Sequence, residues 1–148
     1  MVITKQALII RHSASESLAS NYTALLERQG FHLEPLNVFE SAPRYDRFSA
    51  PDLRDVSLIL VLGGPLSAND GYPALQQELA YIGDALAQAK PVFGVCLGSQ
   101  LMAVALGATV EPNGRIPVRA AEDLRHRRRQ HRSRVQQDSH SPGADAAR

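Results

Sequence analysis

The residues with chemistry to offer stand together at Gly94-Val95-Cys96-Leu97-Gly98. Cys96 is the chain's single cysteine. It therefore has no disulfide partner within the chain and no fellow thiolates for a zinc cluster, which leaves burial or nucleophilic chemistry. An apolar run, Val92-Phe93-Gly94-Val95, leads into it and an apolar helical pattern follows. This is the layout of a nucleophile elbow, where a tight strand-to-helix turn lifts the nucleophile clear of the backbone and flanking small residues let the turn pack. A thiol at a helix N-terminus gains thiolate character, because exposed N–H groups and the helix dipole favour negative charge. The Leu97 amide then faces an oxyanion. A second oxyanion donor comes from another loop, and Gly63-Gly64-Pro65 ends at the same carboxyl edge of a parallel sheet. The competing reading is a buried, inert cysteine in a glycine-closed turn. The strand before, the helix after and the glycine turn one βα unit upstream favour the elbow.

Elements able to hold such a site alternate along residues 1–114 as short apolar runs and helical patterns, the signature of a parallel α/β sheet. Ala7-Leu8-Ile9-Ile10 reads as a buried first strand. Ser13 and Glu16 form a capping-box pattern for a helix that continues through Leu18, Tyr22, Leu25 and Leu26 and stops at Gly30. Leu33 to Phe39 is the second strand, and Ser41 to Asp55, with Pro43 and Pro51, is an irregular connection. Val56 to Leu62 is a continuous apolar run, as expected of a strand covered on both faces. From Pro73 to Ala89 the positions Leu75, Leu79, Ile82 and Leu86 follow the helical period, with Gln76, Gln77, Glu78 and Asp84 assigned to the opposite side. The apolar helix Gln100 to Leu106 is expected to be buried, and Ala108 to Glu111 to open a further strand.

After Gly114 the composition changes. Residues 1–114 carry 7 Lys and Arg against 11 Asp and Glu, whereas residues 115–148 carry 9 Arg against 4 acids. The second segment holds few aliphatics and no aromatic residue, so burial cannot offset the entropy of ordering it, and it reads as a disordered basic tail with at most a short helix near Ala120 to Arg129. No window supplies the roughly 18 consecutive apolar residues of a membrane span, and the first residues lack a signal-peptide pattern, so a cytoplasmic location is expected.

Leu62-Gly63-Gly64-Pro65, Asp70-Gly71-Tyr72-Pro73 and Pro91-Val92-Phe93-Gly94-Val95-Cys96-Leu97-Gly98-Ser99-Gln100-Leu101 together resemble the class I glutamine amidotransferase family, over about residues 7–114. The resemblance implies a flavodoxin-like, doubly wound parallel sheet, here truncated. It also implies hydrolysis of the glutamine side-chain amide through a cysteine thioester, with ammonia passed to a synthetase partner or acceptor domain. By the same resemblance Cys96 is the nucleophile, the Gly64 and Leu97 amides are the oxyanion donors, and Gln100 with Gly63 lines the substrate position. No metal or organic cofactor is implied.

The family completes its triad with a His-x-Glu pair downstream of the cysteine. None follows Cys96, since His126, His131 and His140 have no glutamate two residues on. His12 and His32 match no triad position and read as structural or solvent-facing. Missing general acid–base chemistry is worth about 10²–10⁴-fold in rate, so an impaired enzyme is expected. The abrupt change at Gly114–Arg115 has the composition of out-of-frame translation, a hypothesis that rereading the gene past codon 114 tests. A non-catalytic binding module with the basic tail as an interaction arm is the alternative. Nucleic acid is a disfavoured partner, because no aromatic residue is interleaved among the arginines for base stacking. An α/β-hydrolase ranks lower still, for want of triad members.

Overall fold

A computed structural model describes residues 5–112 of the chain. Four parallel strands form one sheet in the order β2-β1-β3-β4: β1 Lys5–Arg11, β2 Phe31–Asn37, β3 Leu58–Val61 and β4 Val92–Gly94. Three helices, α1 Ser20–Arg28, α2 Pro73–Ala87 and α3 Leu97–Ala105, lie between or after them, and two short 3-10 turns, Val38–Ser41 and Leu53–Asp55, occupy the β2–β3 connection. All these elements belong to the compact unit Met1–Glu111.

The central position of β1 follows from its sequence. Ala7 to Ile10 are buried in succession, with Leu8 and Ile10 in one apolar cluster and Ala7 and Ile9 in another. Adjacent side chains on a strand point to opposite faces, so an unbroken apolar run is what a strand covered on both faces requires. The α2 and α3 residues Leu75, Ile82, Leu97 and Leu101 cover the first face, while Leu18 and Leu26, before and within α1, flank the second. The sheet is thus wound on both sides, and the chain switches direction at β1 and β3. β1 pairs with β2 from Lys5↔Phe31 and with β3 from Ala7↔Leu58, and β3 pairs with β4 from Ile59↔Val92. Pro35 in β2 removes a ladder donor, tolerable because β2 is an edge strand.

Several expectations need correction. The helix expected to be capped by Ser13 begins only at Ser20, with no side-chain cap at Ala19. Ser13 instead closes a local turn, its hydroxyl accepting from the Ser15 amide and its carbonyl from the Glu16 amide. Arg11 then pins that loop through Nε to the Glu16 carbonyl at 2.7 Å. Glu78, assigned to the polar side of α2, is fully buried. It stands three residues after Leu75 and four before Ile82, so the helical period puts it on the apolar stripe despite its charge. α3 starts at Leu97 rather than Gln100, and only Leu97, Gly98 and Leu101 of it are buried. Ala108 to Glu111 is not a strand; the Val110 carbonyl is held by Asn69 Nδ2 at 2.8 Å. β4 forms one edge of the sheet among the described residues. The tail and its short helix lie outside the described residues.

Candidate active site

Because the strands are parallel, β1, β3 and β4 all end on one side of the sheet, and each hands over there to a residue of interest: His12, Gly63 and Cys96. Doubly wound sheets place ligands at this carboxyl edge, at the point where the winding reverses.

Cys96 occupies the turn between β4 and α3 with φ 52° and ψ −112°. A non-glycine residue at positive φ is strained and persists only where its surroundings dictate it. Here the glycines on either side do so. A methyl group on Gly98 would overlap the Val61 carbonyl, and one on Gly94 would lie 2.6 Å from the Gly98 backbone and 2.7 Å from Met102 Sδ. The strand can enter the helix this tightly only with both positions bare. The Cys96 carbonyl accepts the amides of Ser99 at 3.0 Å and Gln100 at 3.2 Å and the Ser99 hydroxyl at 2.6 Å, so Cys96 is the helix N-cap. Its side chain is exposed. The Leu97 N–H, the first of α3, meets no carbonyl among the described residues, as expected of a helix N-terminus.

Gly63 and Gly64 follow β3 directly. A Cβ on Gly63 would lie 3.4 Å from Cys96 Cβ and 3.3 Å from Glu16 Oε1, which puts Gly63 between the cysteine and that carboxylate. A Cβ on Gly64 would come within 2.5 Å of His12 Cβ. The Gly64 N–H, like that of Leu97, has no carbonyl partner among the described residues. The structure therefore brings the glycine turn and Cys96 together, with Gln100 in the first turn of α3, half-buried.

Sequence reasoning missed the support beneath this turn. His12 is wholly buried, its Nδ1 donating to the Gly63 carbonyl at 3.2 Å and its Nε2 contacting Glu78 Oε2 at 2.9 Å and Oε1 at 3.1 Å. Burial alone disfavours the charged imidazole, but the hydrogen bond and charge of Glu78, with the Gly63 and Leu62 carbonyls, outweigh it and raise the His12 pKa above its ordinary 6.5. A buried histidine beside a glutamate looks like part of a triad, yet both ring nitrogens are committed elsewhere and neither serves the thiol. Its signal in the sequence was Glu78 on the apolar stripe of α2, a buried carboxylate that had to find a cation. The chain's one His-x-Glu spacing, His32 with Glu34, lies upstream of Cys96 and is exposed on β2, at the far edge of the sheet from β4. No group of three or more potential metal ligands occurs among the described residues. No helix among them is long and apolar enough to cross a membrane.

These features define a doubly wound α/β domain that carries a cysteine on a nucleophile elbow facing a glycine turn. The family model for glutamine amidotransferase class-I matches residues 15–145, and the chain belongs to that family. It is 39% identical over 69 residues to a glutamine amidotransferase-like protein of Acanthamoeba polyphaga mimivirus, a match covering 45% of this chain and 34% of that one. A glutamine-hydrolysing GMP synthase of Streptomyces avermitilis is 40% identical over 62 residues, 41% of this chain and 11% of the synthase. Among solved structures, a glutamine amidotransferase from Methylobacillus flagellatus superposes with TM-score 0.60 at 39% identity, covering 70% of this chain and 39% of that one. One from Thermotoga maritima gives 0.59 at 30% identity, covering 72% and 44%. The chain thus spans less than half the length of each of these relatives.

Proposed function

We propose that this domain attacks the side-chain amide of glutamine with Cys96 and releases ammonia for an acceptor. The observation that carries the reading is the exposed Cys96, held at positive φ on the N-terminus of α3, with Gly63 packed against it, in a chain of this family. Sγ adds to the amide carbon and the carbonyl electron pair moves to oxygen, where the Gly64 and Leu97 N–H groups receive it. Collapse of this intermediate expels the nitrogen, which must gain a proton to leave as ammonia, and water then hydrolyses the glutamyl thioester to regenerate the thiol. Gln100 and Gly63 orient the substrate. The proton donor has no assigned residue, because no His-x-Glu follows Cys96. Turnover by this chain alone is therefore expected to be slowed by about 10²–10⁴-fold. A relative that is a glutamine-hydrolysing GMP synthase supports a synthetase partner or domain as the ammonia acceptor. A free thiol nucleophile suits the reducing cytoplasm, the compartment this reading entails.

The missing pair also favours a second reading, a glutamine-binding module without turnover. One experiment separates the two: mass-spectrometric labelling of the full chain with 6-diazo-5-oxo-L-norleucine and with iodoacetamide, alongside measured ammonia release from glutamine. A single adduct at Cys96, formed with both reagents faster than on a peptide thiol and accompanied by slow ammonia release, supports the enzyme. Capture without any ammonia supports the module. Labelling no faster than a peptide thiol, with no capture of the analogue, defeats both.

A further inference from the structure

The Gly63 carbonyl and the Gly64 N–H belong to one peptide unit. That peptide is trans, since the only cis bond among the described residues is Ala42–Pro43. In a trans peptide the C=O and N–H point in opposite directions, so whatever holds the oxygen also aims the hydrogen. Here the oxygen is held by His12 Nδ1 at 3.2 Å, and the imidazole is in turn gripped at Nε2 by both oxygens of Glu78, with both side chains excluded from solvent. Two glycines in succession leave the peptide otherwise free to rotate, because neither has a side chain to restrict its φ and ψ. The space above His12 is closed to anything larger, as the blocked Cβ position of Gly64 shows.

We propose that His12 and Glu78 are positioning residues for the oxyanion site: the pair clamps the Gly63–Gly64 peptide by its oxygen and so fixes the direction of the Gly64 N–H. The assignment rests on the reading above that this N–H receives the oxyanion. Neither residue touches substrate. Glu78 acts through His12, and His12 acts through the peptide, which ties the end of β1 and the middle of α2 to the turn beside Cys96. A preorganised donor is worth more than one that must find its direction during reaction.

The test uses two variants of the full chain. Glu78→Gln keeps a hydrogen-bonding side chain at Nε2 and leaves Nδ1 able to donate. The double variant His12→Leu with Glu78→Met replaces the buried pair by apolar groups of similar size, a change that folded domains commonly tolerate. In ¹⁵N–¹H spectra the Gly64 amide resonance is expected to stay in place in Glu78→Gln and to shift in the double variant. Capture of 6-diazo-5-oxo-L-norleucine, which develops an oxyanion on attack, should remain near wild type in Glu78→Gln and fall about tenfold or more in the double variant. Iodoacetamide, which reacts without an oxyanion, should label Cys96 at an unchanged rate throughout. A folded double variant with the wild-type Gly64 resonance overturns the proposal, whatever the analogue does. A shifted resonance with no capture by any form, wild type included, upholds the clamp and retires the amidotransferase reading. Should the double variant not fold, the wild type decides: a slowly exchanging His12 Nδ1 proton close to Gly63 and Gly64 is required, and its absence overturns the proposal.

Discussion

Gly98 is the residue on which the elbow depends most heavily. Its missing side chain lets the first turn of α3 lie against the Val61 carbonyl of β3, a backbone group that cannot move aside without disturbing the ladder. Gly98→Ala is expected to cost about 1–3 kcal/mol of stability, in the range of overpacked cores, and to abolish capture of the glutamine analogue at Cys96. Urea unfolding and mass spectrometry measure the two effects. On the proposed reading Gln100 orients substrate and does not shape the thiol, so Gln100→Ala should weaken that capture while leaving iodoacetamide labelling unchanged. At this scale the sequence was informative about Cys96 and its glycines, whose spacing is peculiar to a strand-to-helix turn. It was uninformative about His12, whose role depends on a carboxylate far along the chain. It misled about Glu78, whose polarity was weighed above its place in the period.

The elements divide into those fixed by pattern and those fixed by contacts. β3 and α2 were legible because an unbroken apolar run and a 3.6-residue stripe each admit one arrangement. The start of α1 was not, since Ser13 and Glu16 carry a capping pattern that the chain uses for a turn held by Arg11. α1 buries no residue completely, so packing adds little to define its first turn. α3 is anchored by its first turns, at Leu97, Gly98 and Leu101. Leu101→Ala, at a fully buried position, should lower stability by about 2–5 kcal/mol, whereas Leu106→Ala, at a position 69% exposed, should change it by less than about 0.5 kcal/mol. Chemical denaturation compares them directly. The clamp between β1 and α2 adds a pH dependence. Because folding raises the His12 pKa, the folded state binds the proton more tightly, and this stabilisation is complete below 6.5 and fades as pH climbs through the raised value. The melting temperature should accordingly fall on going from pH 6 to about pH 9, and the fall should be smaller in the His12→Leu, Glu78→Met variant.

Across the molecule, the fold class and the carboxyl-edge placement of Cys96 and the glycine turn were readable from the alternation of strands and helices. The order of strands was not, because which strand neighbours which is decided by crossovers that leave no mark on local composition. The position of β4, at the edge of the sheet among the described residues, was therefore settled by the structure. There Phe93 is 58% exposed beside an apolar groove lined by Leu58, Leu60, Leu62 and α1 residues such as Tyr22. Exposed edges with apolar faces promote association, so Phe93→Lys should reduce concentration-dependent light scattering while leaving the melting temperature nearly unchanged. The same strand order also decides how much chain each pairing must span. β1 pairs with β2 across one short helix, whereas Ala7 and Leu58, and Ile59 and Val92, meet across longer stretches of chain. Closing a longer loop is a slower kind of step. Cys96 directly follows β4, and its elbow has meaning only once Val61 of β3 is in place to receive Gly98. A Cys96 thiol that reacts in its native manner therefore reports that two strands far apart in the sequence have met.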